Sequence, residues 1–250
     1  MTLLAGIAAA SLLMSPMAIM AQDGDSPPEK QVAIEAAYVD LADSFTNPAM
    51  TEIAFDTAMR AGFEGVLRTD PGMATLDREC PGLINAMSDA ARPIMWPAHQ
   101  RDYAQFRLEL IDLFSEELEP DIARGAADFY GSEPGQSLLR TLMSNYSASS
   151  TIASVLDDPD AKVSGHALEA DMRATAAAGI QALSPEEFAA MNAQLKGAVW
   201  LPAMTRLGPQ LNALQLKMAN KDLSEEENTA LDTALEGVFE SHFATCEAAE

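Results

Sequence analysis

The stretch that decides the fold runs from Leu113 to Tyr146 and reads LFSEELEPDIARGAADFYGSEPGQSLLRTLMSNY. Its apolar residues recur every three or four positions on both sides of a short turn, and this spacing places them on one face of each of two helices. They are Leu118, Ile122, Ala126 and Phe129 before the turn, and Leu138, Leu139, Leu142, Met143 and Tyr146 after it. The stretch therefore predicts two helices that fold back on each other as an antiparallel hairpin.

Residues typical of helix ends lie at the expected places in this stretch. Ser115 can accept a hydrogen bond from a free backbone N–H at a helix start, and the two glutamates that follow it suit a first turn. Gly131 is expected to end the first helix, and Ser132 can cap the second. Pro134 is tolerated in that first turn because its missing N–H has no partner there. Since each of these residues has a role in folding, the hairpin provides no catalytic candidate.

The same stretch carries a recognisable motif. A hydrophobic residue and a serine precede acidic residues, followed by Phe-Tyr, a turn rich in Ser, Pro and Gly, and a leucine-rich helix. The residues that carry it are Phe114, Ser115, Phe129, Tyr130, Pro134 and Gly135. On these residues the chain resembles the exported bacterial family called domain of unknown function 2059, although Glu133 interrupts the commoner Ser-Pro order. The resemblance implies an all-α, exported bacterial protein, and it supplies no activity and no catalytic residues.

Helical patterns continue through most of the chain. Ser184 with Glu187, and Ser224 with Glu227, have the spacing of a capping box before an apolar stripe. We therefore predict an all-α protein, an irregular multi-helix bundle built from antiparallel helical hairpins. Residues 30–250 are expected to form a single helical domain, with a subdomain boundary near 147–160 as the alternative.

The N-terminus is typical of export. Residues 1–21 are apolar and uncharged and end in small residues before a polar run, which predicts a signal peptide cleaved after Ala21. An exposed linker over 22–29 follows. This predicts a periplasmic or secreted protein with no stable membrane span after cleavage. Because the apolar run is nearly long enough to span a bilayer, an uncleaved anchor is the alternative.

The net charge disfavours some classes of partner, and the cysteine content bears on whether the chain contains a disulfide. The formal net charge is −23, which opposes binding to nucleic acid or to an anionic membrane surface. The chain has two cysteines, Cys80 and Cys246. In an oxidising compartment they are expected to form a disulfide, and two separate thiols are the alternative.

No pattern in the sequence predicts a catalytic, cofactor-binding or metal-binding site. His99, His166 and His242 are far apart and lie in no metal-binding motif. Gly131-Ser132-Glu133-Pro134-Gly135 is not a nucleophile elbow, because the serine comes one position early. We therefore expect a non-catalytic envelope binding or interaction module that binds an unknown envelope partner or small ligand. The alternatives are a hydrolytic or other enzyme whose site no motif reveals, and a purely structural role.

Overall fold

The computed structural model describes residues 28–157 and 162–247, and every regular element in these two ranges is helical. The elements are α1 (Pro28–Phe45), α2 (Pro48–Thr57), a π-helical segment (Ala58–Glu64), α3 (Gly65–Thr69), α4 (Pro71–Glu79), α5 (Leu83–Glu117), α6 (Pro120–Gly131), α7 (Glu133–Ser144), α8 (Ser149–Asp157), α9 (Gly165–Ala182), α10 (Pro185–Leu195), α11 (Leu201–Arg206), α12 (Gly208–Ala219) and α13 (Glu225–Glu247). The predicted all-α multi-helix fold is confirmed.

The predicted N-terminal segments fall mostly outside the described residues. The signal peptide over 1–21 lies there entirely, whereas Pro28 and Glu29 of the predicted linker already belong to α1. Part of the alternative subdomain boundary near 147–160 also lies outside, and α8 occupies much of the remainder. Among the described helices, none is both long enough and apolar enough to cross a bilayer.

Helix α5 is the element around which the fold is built. It is 35 residues long and contributes buried side chains to three apolar clusters. Its first turns pack with α3, α4 and α13, its middle with α2 and the π-helical segment, and its last turns with α1 and α6. Phe114, with no exposed surface, lies at the centre of the last and largest cluster. Helix α5 therefore joins its neighbours in sequence, α4 and α6, to the distant helices α1 and α13.

Two prolines lie inside α5 without ending it. The spacing of Pro93 and Pro97 around Trp96 favours a kinked connector between two shorter helices, but the structure has one continuous helix. The prolines are four residues apart, so they share one face, and both are exposed. The backbone carbonyls that lose a hydrogen bond to each proline therefore face water. On the opposite face Ala91 and Ala98 are almost fully buried and keep the helix packed.

The start predicted at Ser115 is wrong. Ser115 belongs to the last turn of α5, where its hydroxyl donates to the Asp112 carbonyl at 2.8 Å. The apolar stripe through Leu110 and Phe114 runs on to Leu118, so the preceding helix continues across the serine. Helix α6 begins at Pro120 instead, because a residue that precedes proline is driven out of the helical conformation.

The turn between α6 and α7 follows the sequence prediction. Gly131 is the last residue of α6, and the Ser132 hydroxyl accepts a hydrogen bond from the Gly135 N–H at 3.3 Å to cap α7. Pro134 lies in the first turn of α7 as expected. Gly135 is buried directly against the end of α6, so that a Cβ atom there would overlap the backbone carbonyl of Phe129. The short connection thus requires glycine at position 135.

The capping boxes of Ser184 with Glu187 and of Ser224 with Glu227 are both confirmed, since each serine and glutamate exchange their two hydrogen bonds.

Helix α4 was not expected. The residues Thr69-Asp70-Pro71-Gly72 suggest only a turn, but the Asp70 side chain accepts from the Met73 N–H at 2.8 Å and starts a helix.

A buried carboxylate joins α8 to α9. Asp171, only 2% exposed, accepts hydrogen bonds from the backbone N–H groups of Ser150 at 2.9 Å and Thr151 at 2.8 Å. These N–H groups lie in the first turn of α8 and have no partner within their own helix. Thr175, one turn further along α9, accepts from the Ser147 N–H at 2.8 Å. Asp171 therefore supplies from a neighbouring helix the cap that α8 lacks in its own sequence.

We expect Gly135→Ala to destabilise the protein by about 2–3 kcal/mol, because the added methyl group must displace the backbone at the α6–α7 turn. Gly237→Ala is the matched control: Gly237 lies within α13, and its Cβ would meet nothing within 4 Å. There alanine should stabilise by about 0.5–1 kcal/mol, since it is the better helix former. Urea denaturation checks both, and effects of equal sign at the two sites would contradict this account.

We expect Asp171→Ala to lower the free energy of unfolding by about 2–4 kcal/mol, because two buried N–H groups lose a charged acceptor. Asp112→Ala, at an exposed aspartate on α5, should change it by less than about 0.5 kcal/mol. Denaturant melts followed by circular dichroism measure both. Similar values for the two variants would remove the capping role of Asp171.

Candidate functional site

Most of the motif residues are buried in the core or packed against it. Phe114 and Phe129 are buried in the largest apolar cluster, and Gly135 is buried at the α6–α7 turn. Ser115 is exposed at the end of α5 and Pro134 lies in the first turn of α7. The structure therefore brings Phe129, Tyr130, Pro134 and Gly135 together at one turn, whereas Phe114 and Ser115 belong to the preceding helix.

Phe129 and Tyr130 are adjacent and cannot both point straight into the core, so the sequence leaves the exposure of Tyr130 open. Its ring centroid lies 4.8 Å from that of Phe45 and 5.9 Å from that of Trp200, so it packs between α1 and the start of α11. Burial raises the pKa of its hydroxyl to about 12. Tyr130 is thus a packing residue that holds α6 against its neighbours, and its phenol stays protonated at neutral pH.

An open cleft lies beside this turn. It has a volume of about 530 Å³ and is formed by α1, the α1–α2 connection and the α6–α7 turn. We call it the acidic cleft, and its lining residues are Asp40, Asp43, Ser44, Asn47, Ala127, Asp128, Gly131, Ser132 and Gln136. The turn that carries the sequence motif therefore forms one of its walls.

Much of the polar lining is occupied by hydrogen bonds that shape the cleft. The Asn47 side chain accepts from the Ala49 N–H at 3.0 Å and caps α2. The Gln136 side-chain amide donates to the Tyr130 carbonyl at 2.6 Å. The Ser132 hydroxyl lies 2.6 Å from the Phe129 carbonyl and 3.0 Å from Oε1 of Gln194, and caps α7. These side chains fix the backbone around the cleft.

The carboxylates are the groups that remain available to a ligand. Asp40 and Asp43 are neighbours on one face of α1 at a spacing of three, and Asp128 faces them from α6. Asp43 forms an ion pair with Arg107 of α5. Asp40 and Asp128 are exposed and pair with no basic side chain in the described part of the chain. The cleft therefore offers negative charge in a concave site and is suited to a positively charged group.

A half-buried histidine lies away from the cleft. His99 of α5 stacks among aromatic rings, with centroids 4.6 Å from Tyr103 and 5.1 Å from Phe55. Its Nε2 atom is buried and lacks a hydrogen-bond partner within the described residues. Burial lowers the pKa of His99 to about 4, and nearby Asp102 offsets this only in part. His99 is therefore a neutral core residue at pH 7.

We expect His99 to make stability depend on pH. Its pKa is about 4 in the folded chain against 6.5 ordinarily, so the unfolded state binds the proton more readily. The stabilisation is complete above pH 6.5 and is lost as the pH falls from 6.5 through 4, by at most about 3 kcal/mol. His99→Phe should flatten this loss. The check is the difference between wild-type and variant unfolding free energies at pH 7 and pH 4.5, and an unchanged pH dependence would contradict the assignment.

The two cysteines meet at one end of the molecule. Cys80, directly after α4, is paired with Cys246 of α13 as a disulfide, with their Cα atoms 5.7 Å apart. His242, one turn before Cys246, lies beside them, so that one ligand atom of each residue falls within 4.8 Å of the others. The sequence predicts no metal site because the histidines are far apart from one another. The spacing of His242 and Cys246 by four on one helix was the available signal.

Sequence reasoning also missed Asp171 and the carboxylates of the cleft. Asp171 is the charged residue on a helix face that otherwise carries Leu168, Thr175 and Gly179, and this charge among uncharged residues could have marked it. Asp40, Asp43 and Asp128 carry no such signal, since isolated aspartates on helix surfaces are common. Their proximity depends on how α1 packs against α6.

The fold and the cleft define an all-α protein with an acidic groove between helices. Neither a family model, a curated protein nor a solved structure matches the chain. The site must therefore be interpreted from its own chemistry.

Proposed function

We propose that the protein is a non-catalytic binding module of the bacterial envelope, and that its acidic cleft binds a positively charged segment of a partner. The observation that carries this proposal is the convergence of Asp40, Asp43 and Asp128 around a concavity of about 530 Å³. A cleft of this size accommodates one or two lysine or arginine side chains with their backbone.

The charge arrangement favours guanidinium or ammonium groups over neutral ligands. Asp40 and Asp128 have no internal basic partner among the described residues, so an incoming cation breaks no ion pair there. Arginine suits the carboxylates of Asp40 and Asp128 because its planar fork can bond both oxygens of one carboxylate at once. The net charge of −23 also attracts basic partners over longer distances, and this attraction weakens as salt is added.

Three further observations support an envelope location. Residues 1–21 are apolar and end in small residues before a polar run, as the apolar region and cleavage site of a signal peptide do. The pairing of Cys80 with Cys246 suits an oxidising compartment. The motif around Phe129 and Pro134 resembles the exported domain of unknown function 2059 family. On these grounds we propose that the mature protein is periplasmic or secreted.

The test is calorimetric titration with an oligoarginine peptide. The double variant Asp40→Asn, Asp128→Asn removes two charges from the cleft without changing side-chain shape. We expect it to weaken binding about 2- to 30-fold, since exposed ion pairs contribute about 0.2–1 kcal/mol each and two are removed. Adding salt should weaken wild-type binding as well.

The control is Asp112→Asn, Asp232→Asn, which removes the same two charges at exposed positions on α5 and α13 outside the cleft. It should weaken binding by less than about twofold, because only the long-range field changes. Equal weakening by both double variants would show that the peptide responds to net charge alone, and the cleft would lose its role.

A further inference from the structure

The disulfide region contains three side chains with metal-binding chemistry. Cys80, 1% exposed, is held at the end of α4, and His242 and Cys246 project from one face of α13. The two sulfur atoms and one ring nitrogen of His242 lie within 4.8 Å of one another. Two thiolates and an imidazole are a donor set that zinc prefers. The disulfide occupies this set, so the site becomes available only when the S–S bond is reduced.

The backbone around His242 fixes which of its ring nitrogens could bind a metal. Nε2 lies 3.3 Å from the Cys80 carbonyl oxygen and 3.2 Å from that of Pro81. Since carbonyl oxygens only accept hydrogen bonds, Nε2 of the neutral ring carries the proton and Nδ1 keeps its lone pair. Ligating histidines are commonly oriented in this way, through a hydrogen bond from the second nitrogen to a backbone carbonyl.

The loop that carries Cys80 is held independently of the disulfide. Oδ1 of Asp77 accepts hydrogen bonds from the N–H groups of Gly82 and Ile84, both at 3.1 Å. Gly82 adopts a φ of 95°, which favours glycine. The Cys80 N–H donates to the Leu76 carbonyl at 2.8 Å. Reduction therefore leaves the backbone of the loop in position.

We propose that the reduced chain binds one Zn²⁺ through the thiolates of Cys80 and Cys246 and Nδ1 of His242, with water as the fourth ligand. Tetrahedral zinc with bonds of about 2.3 Å separates two sulfurs by about 3.8 Å. Cα atoms 5.7 Å apart allow this separation through side-chain rotation. The C-terminal position on α13 also favours a cation, because the helix dipole is negative there.

The disulfide form is converted into the zinc-bound form in two steps. A dithiol reductant transfers two electrons and two protons, so that the S–S bond breaks, Cys80 and Cys246 become thiols, and the reductant becomes a disulfide. Zn²⁺ then displaces one proton from each thiol and two protons leave to solvent. In both forms the C-terminal part of α13 stays linked to the loop after α4. The region is thus cross-linked by a disulfide when oxidised and by a bound zinc ion when reduced.

The test uses the full chain, reduced with a trialkylphosphine, freed of it without oxygen and titrated with Co²⁺ and then Zn²⁺. We expect one Co²⁺ per chain, with a thiolate charge-transfer band and tetrahedral d–d bands that Zn²⁺ abolishes. His242→Ala should weaken Zn²⁺ binding at least about 100-fold, since loss of a ligand costs more than loss of an outer-shell partner. His166→Ala, at an exposed histidine of α9, should leave it unchanged. The oxidised chain should show no charge-transfer band.

Either of two results of the metal titration would overturn the proposal: no thiolate–cobalt band in the reduced wild type, or equal Zn²⁺ affinity of wild type and His242→Ala. Thermal melts followed by circular dichroism cover any loss of structure on reduction. Zn²⁺ should raise the melting temperature or restore the helical signal of the reduced wild type, and should do neither for Cys80→Ser, Cys246→Ser. A reduced wild type whose melt does not respond to Zn²⁺ would also overturn the proposal.

Discussion

The fold depends on the continuity of α5. Three separate apolar clusters draw buried side chains from this one helix: Leu83, Ala91 and Phe114 each belong to a different cluster. If the helix broke at Pro93 or Pro97, the cluster around Leu83 would no longer have a fixed position relative to the cluster around Phe114. The helix can continue through both prolines because they are exposed, so that water can hydrogen-bond to the carbonyl groups that they leave without an N–H partner. Helices α1, α6 and α13 then pack against a fixed axis.

The acidic cleft is a consequence of that packing. Helix α6 lies against α1, and the short α6–α7 turn closes one side of the space between them. Ser132 and Gly135 are needed to make the turn, and Phe129 and Tyr130 to hold it on the core. These residues thus hold in place the α6–α7 turn, whose Gly131 and Ser132 line the cleft, and Asp40, Asp43 and Asp128 supply its charge. The residues that hold the turn on the core are therefore different from those that give the cleft its charge.

Local features were predictable from the sequence, and long-range ones were not. The caps at Ser132, Ser184 and Ser224 follow from nearest neighbours in the chain, and all three are present. The helix start predicted at Ser115 is wrong because this serine, although a good capping residue, lies inside a longer apolar stripe. The new helix starts at the Glu119-Pro120 step, where proline keeps the preceding residue out of the helical conformation. The cleft and the Asp171 cap join residues on different helices, so periodicity within one helix could not reveal them.

Native-state hydrogen exchange tests the central role of α5 most directly. The amides of Phe106, Leu110 and Phe114, which are buried in the largest cluster, should exchange only through global unfolding. Their exchange free energies should then equal the unfolding free energy from urea denaturation. The amides of Met87 and Ala91, which lie inside the part of α5 before Pro93, should exchange in the same cooperative unit. Independent, lower-energy exchange of the part before Pro93 would contradict the account, because it would show that α5 behaves as two helices.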